Sequence, residues 1–124
     1  MATHKDLIVW QKAVSLATRV YAATAALPSD ERYGLTTQMR RAAVSVPSNI
    51  AEGAGRSHRA EYLHYLSIAR GSLAELETQI QIATELGLLS EPIDIHVVEV
   101  GRLLTKLIQR LRERRTQAAS RAFG

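Results

Sequence analysis

Between Tyr62 and Ala83 the apolar residues fall at Tyr62, Leu66, Ala69, Leu73, Leu76, Ile80 and Ala83, in steps of four and three without a break. That spacing holds all seven on one side of an α-helix, whereas in a strand each step of three would cross to the opposite face. The rhythm recurs in three other blocks. Leu35, Met39, Ala42 and Val46 carry it in one, and Ile93, Val97, Val100, Leu104, Leu107 and Leu111 in another. In the first block two stripes run side by side: Leu7, Trp10, Val14, Ala17 and Tyr21, next to Val9, Ala13, Leu16, Val20, Ala23 and Leu27. Four amphipathic segments with short connections predict an all-α chain, an antiparallel up-down four-helix bundle with left-handed packing. A chain of 124 residues that is 46% apolar but only 5% aromatic fits one such domain with an aliphatic core.

Breakers and caps set the expected boundaries. Asp6 is a suitable N-cap for a first helix running to about Leu27, ahead of Pro28. Ser29 or Asp30 can cap a second helix that passes Gly34 and frays at Gly53, Ala54 and Gly55. A third runs from near Ser57 to Gly87, a natural stop. Gly71 in its middle is costly in a helix, which points to close approach by another helix. Ser90 caps a fourth helix, with Pro92 just inside its start. The bundle is expected to occupy residues 1–115, and residues 116–124 to form a flexible basic tail.

The segment Leu35–Gly55 departs from plain helical packing. Pro47 lacks an N–H and crowds the carbonyl four residues back, so a helix continuing through it should kink. Two further steps of the apolar rhythm land on Asn49 and Gly53. Asn49 and Glu52 lie one turn apart, with Arg40 and Arg41 in preceding turns and Glu75 on the next helix. These five form a candidate polar cluster. It reads either as a ligand pocket at a bundle end or subunit junction, or as a hydrogen-bonded network that fixes helix register.

Charge is distributed unevenly. Five arginines and one glutamate lie beyond residue 108, which accounts for the net charge of +4 and leaves 11 of the 16 basic residues against 11 of the 12 acidic ones before it. Arg102, Lys106, Arg110 and Arg114 recur every fourth residue down one helix face, with Arg112 and Arg115 flanking. A basic stripe of this kind suits a phosphate backbone, because each neutralised phosphate releases counterions. It is also what a solvated helix face looks like. No aromatic is interleaved with it, so base stacking and sequence-specific reading are not expected.

Other chemistries find little support. The chain has no cysteine, which excludes disulfides, thiolate catalysis and cysteine zinc sites. A di-iron bundle needs paired Glu-x-x-His motifs, and Glu61-x-x-His64 occurs once. No nucleophile–base pair or phosphate loop stands out, so neither an enzyme nor a cofactor is expected. The apolar run after Lys5 and Asp6 is too short for a signal peptide, and none approaches the roughly 20 residues that cross a bilayer. The expectation is a soluble cytoplasmic protein with no membrane role.

Leu7 with Trp10, Gln11 and Ala13, Leu35 with Gln38, Arg40 and Arg41, and the segments Ser45-x-Pro-Ser-Asn-Ile-Ala-Glu-Gly and Ile68-Ala-x-Gly-Ser-Leu-x-Glu-Leu-Glu together carry a resemblance. Over about residues 5–111 the chain resembles the four-helix-bundle proteins of the 23S ribosomal RNA intervening-sequence type. The resemblance implies an up-down bundle, a homopentameric ring and no enzymatic activity. A more distant branch, the accessory protein of diversity-generating retroelements, is a basic pentamer that binds nucleic acid and a reverse transcriptase; this sequence departs from it by carrying the intervening-sequence signature. The double stripe of the first helix, wider than one helical neighbour needs, and Gly71 also favour a cyclic homo-oligomer. Two functions follow: an oligomeric bundle that binds RNA or DNA without sequence preference through the basic C-terminal helix, or a protein–protein assembly subunit with no nucleic-acid role.

Overall fold

The computed structural model describes residues 2–90 and 92–123, with side chains described up to residue 114. Among the described residues every regular element is helical: α1 (Ile8–Thr24), α2 (Leu35–Ala54), α3 (Arg59–Glu85) and α4 (Asp94–Phe123), with short 3-10 turns at His4–Asp6 and Ser29–Glu31. The helices are neighbours in a cycle, α1 to α2 to α3 to α4 and back to α1. Ser45 meets Ser72, and Gly53 meets Tyr62 and Tyr65, so chain positions rise along α2 as they fall along α3. The fold is all-α, as the apolar rhythm requires.

The core is aliphatic. Leu16, Met39, Ile50, Leu66, Leu76 and Leu104 are its largest fully buried side chains. Of the two stripes on α1, Val9, Ala13, Leu16, Val20 and Leu27 are buried. The companion stripe is only partly covered: Ala17 is buried, Leu7, Trp10 and Val14 are intermediate, and Tyr21 is 45% exposed. On α4 the core passes from Leu104 to Ile108, not to Leu107, before reaching Leu111. A helix of 3.6 residues per turn drifts against a strict seven-residue repeat, and an additional step of four absorbs the drift.

Several helix ends differ from the expected ones. Asp6 does not cap α1; its carboxylate accepts a hydrogen bond from the Thr3 N–H at 2.8 Å while Thr3 Oγ1 accepts one from the Lys5 N–H, a capping box around the 3-10 turn. α1 ends at Thr24, three residues before Leu27, where the Thr24 hydroxyl donates to the Val20 carbonyl at 2.7 Å. α2 starts only after Gly34, whose backbone is non-helical; the Glu31 carboxylate there accepts from the Leu35 N–H at 3.3 Å. α4 begins at Asp94, so Pro92 precedes the helix. The expected boundary at residue 115 falls inside α4, and the side chains from there on lie outside the described residues.

Two glycines have clear roles. Gly87 adopts φ +71°, and the Leu88 N–H reaches the Ala83 carbonyl at 2.9 Å while the Gly87 N–H reaches that of Thr84 at 3.0 Å. This is a Schellman ending, and it stops α3 where expected. At Gly53 α2 and α3 are in close contact: a Cβ there would lie 2.9 Å from Tyr65 Cβ and 3.2 Å from the Tyr62 carbonyl oxygen. Gly71 has the opposite surroundings, since a Cβ added there would meet nothing within 4 Å. Among the described residues no other helix approaches it, so the close approach expected from sequence is not made there.

Candidate nucleic-acid and assembly surfaces

α4 has two faces of opposite chemistry. Val97, Val100, Leu104, Ile108 and Leu111 are buried, while Arg102, Lys106, Arg110, Arg112 and Arg114 are exposed. The step of four that makes the stripe legible in the sequence also keeps it off the core. Arg115 lies outside the described residues. Lys106 and Arg110 border a cleft of about 320 Å³ between α4 and the start of α1, floored by Leu7, Leu103 and Leu107. One turn away Lys12 of α1 pairs with Glu99 of α4 at 3.3 Å, a half-exposed contact that ties the two helices together.

The candidate polar cluster divides into separate contacts. Arg40 turns to α1: its Nε donates to Thr24 Oγ1 at 2.9 Å, a terminal nitrogen donates to the Tyr21 carbonyl at 3.3 Å, and the guanidinium lies 4.6 Å from the Tyr21 ring centroid. Arg41 is exposed and, with Arg40, Tyr21, Thr37, Val44 and Ser45, borders an outer groove between α1 and α2. Asn49 turns to α3. Its side-chain amide donates to the Ser45 carbonyl at 2.8 Å and to Ser45 Oγ at 2.9 Å, and Ser45 Oγ lies 2.8 Å from Ser72 Oγ. Glu52 is exposed and pairs with Arg56, which also donates to the Tyr65 hydroxyl at 2.9 Å, lies over that ring and reaches Glu61 at 3.9 Å. Glu75 accepts a hydrogen bond from the side-chain amide of Gln79 at 3.5 Å.

The structure therefore joins Arg40 to Arg41 in one groove and separates both from Asn49, Glu52 and Glu75. Thr24, Ser72, Arg56 and Tyr65 complete these contacts, and the sequence alone singles out none of them. Of these, Ser72 alone lies within a recognisable segment. Arg56 and Tyr65 pair only once the α2–α3 turn folds. The hydrogen bond that Arg56 donates to the Glu52 carboxylate, with help from Tyr65 and Glu61, holds the Arg56 guanidinium above its usual basicity. Burial pushes the Tyr62 phenol up, since the charged form loses solvation. Among the described residues no three His, Cys, Asp or Glu side chains gather to hold a metal, and His64 makes an edge contact with the Tyr65 ring.

Family comparison agrees with this arrangement. The model of the 23S rRNA-intervening sequence protein family matches residues 5–110. The chain belongs to that family. The match takes in all of α1, α2 and α3 and the stripe as far as Arg110, and stops short of Arg112 and Arg114. A crystal structure of a protein of unknown function from the S23 ribosomal protein family of Bacteroides thetaiotaomicron has the same fold, with a TM-score of 0.77 at 23% identity over 85% of this chain and 98% of that one. No curated protein matches the chain. Among the described residues no helix is long and apolar enough to cross a membrane.

Proposed function

We propose that this family member is a non-enzymatic, self-associating cytoplasmic bundle that binds nucleic acid without sequence preference through the outer face of α4. One observation carries the reading: α4 satisfies the core with one face and gathers Arg102, Lys106, Arg110 and Arg114 on surface that the core does not use. Phosphate contacts made by such a stripe release counterions, and repetition of the stripe around a homopentamer adds avidity. The family's description makes 23S rRNA the first RNA to try.

The test is binding of labelled RNA and DNA of unrelated sequences across a salt series. Affinity should fall linearly with log salt. Replacing Arg110, Arg112, Arg114 and Arg115 by glutamine should flatten the slope and weaken binding to all sequences alike, with the fold intact because Arg110, Arg112 and Arg114 are exposed. A quadruple variant that binds as tightly as the parent at two salt concentrations reduces the stripe to a solvated face. A protein-assembly subunit with no nucleic-acid role is the second reading. It is favoured by the apolar side chains left exposed between α1 and α2, Tyr21 and Val44, and gains if the parent binds no nucleic acid.

A further inference from the structure

Two apolar features stand on different sides of the molecule. The first is a groove of about 350 Å³ between α1 and α2, lined by Val14, Ala17, Tyr21, Val44 and Pro47. It continues past Tyr21 and Val44 into the recess that Arg40 and Arg41 border. The second is a ridge on the first turns of α4, where Ile95 is 70% exposed and Val98 53% exposed. These two are three residues apart, so they project from one side of the helix. Val98 also borders a cleft with Glu77 and Asp94, so the ridge has an acidic flank. Arg102 follows Val98 by one turn and begins the basic stripe.

The charges flanking the two features are complementary. Among the described residues the ion pairs involve Lys12, Glu99, Arg56, Glu52 and Glu61. Arg40 bonds to neutral oxygens, and among the same residues neither it nor Arg41 meets a carboxylate, nor do Glu77 and Asp94 meet a cation. An apolar groove with two unpaired cations thus faces outward on one side, and an apolar ridge with two unpaired anions on another. Groove against groove would bring four arginines together at a contact being dried, which is unfavourable. Groove against ridge places opposite charges at the rim and apolar side chains at the centre, and lays a helix into a channel between two others.

We infer that the groove between α1 and α2 receives the Ile95–Val98 ridge of a second copy of this chain, with Arg40 and Arg41 facing the neighbour's Glu77 and Asp94. The inference rests on the self-association proposed above and specifies how it occurs. Each copy offers one groove and one ridge, so the contact is head to tail. Such contacts close into a ring when the rotation between copies allows. The ridge takes only the first turns of α4, ahead of Lys106.

The test uses Val44→Lys in the groove and Ile95→Lys on the ridge, both at exposed positions, with helicity and melting checked first. Masses are read by light scattering at micromolar concentration. The parent should be an oligomer and each variant alone a monomer. An equimolar mixture should give a 1:1 dimer, because the intact ridge of one variant fits the intact groove of the other and the remaining ends are both blocked. A variant that keeps the parent's mass overturns the inference while leaving self-association standing. Two monomeric variants that stay monomeric when mixed show that groove and ridge do not meet each other, which also overturns it. A monomeric parent fails the self-association reading itself and leaves the groove to another occupant, such as an acidic helical peptide.

Discussion

The α2–α3 pair and α4 solve different problems with similar lengths of helix. α2 and α3 meet at a glycine, share a serine–asparagine network, and are held at their turn by Arg56 stacked on Tyr65. Ser45, Asn49, Gly53 and Ser72 of the two signature segments serve that seam, while Pro47 lines the groove toward α1. α4 touches its neighbours mainly through a regular aliphatic face and leaves its other face charged. The distinctive part of the sequence therefore encodes packing, while the surface best suited to a partner is written in common residues at ordinary helical spacing.

The sharpest way to break this comparison is to add one methyl group at the seam. Gly53→Ala puts a Cβ 2.9 Å from Tyr65 Cβ and 3.2 Å from the Tyr62 carbonyl oxygen, atoms that no side-chain rotation can move aside. Overpacking of this kind costs about 1–3 kcal/mol, and Gly53→Val should cost more. Urea denaturation should show the loss. If Gly53→Ala melts like the parent, α2 and α3 are not in the close contact described.

How far the sequence discloses this difference depends on the range of the contacts involved. Helix number, core faces and the Gly87 stop are local or periodic, and their residues spell them out. Helix starts are less legible, because Asp6 bonds within the turn beside α1 and Glu31 reaches the first N–H of α2 from the preceding turn, neither as a simple N-cap. The candidate polar cluster rests on proximity along the chain. Arg40 leaves it because Thr24 and Tyr21 of α1 stand closer, a fact of tertiary packing with no local signature. Gly71 and Gly53 show the same limit: both are helix glycines, and only the packed structure reveals which one is crowded.

Next in expected size is the contrast between Asn49 and Glu52, which the sequence treats as a pair. Asn49 is part-buried and bonds to Ser45, which in turn meets Ser72. Asn49→Leu breaks that chain of bonds and should cost about 1–3 kcal/mol, read from the denaturation midpoint. Glu52 sits in solvent with its partner, and Glu52→Gln should leave the midpoint where the parent has it, since exposed ion pairs contribute little. Equal effects from the two substitutions would restore a single coupled cluster.

Gln79 offers a gain where the preceding changes lose. It is 5% exposed, and its Oε1 is buried without a hydrogen-bond partner. An unsatisfied buried oxygen carries a desolvation cost, so an apolar side chain of similar length should do better there. Gln79→Met is expected to stabilise the protein by about 1 kcal/mol, measured as a higher urea midpoint with an unchanged m-value. A lower midpoint would mean that the oxygen has a partner in solution.

The smallest effect expected is at Gly71, and it sharpens the comparison most cheaply. Gly71 lies in the interior of α3 with no atom of the described residues within 4 Å of where its side chain would start. Gly71→Ala removes backbone freedom from the unfolded chain and meets no clash, so it should stabilise by up to about 1 kcal/mol. The sign separates the two glycines of one helical pair: methylation should harm at Gly53 and help at Gly71. It also probes the outer face of α3 in the assembled protein. Measured on a monomeric Val44→Lys background, the gain should appear in full. If it appears there but vanishes or reverses in the parent oligomer, a second copy crowds α3 at Gly71, and the contact between copies extends to that face as well as to the groove between α1 and α2.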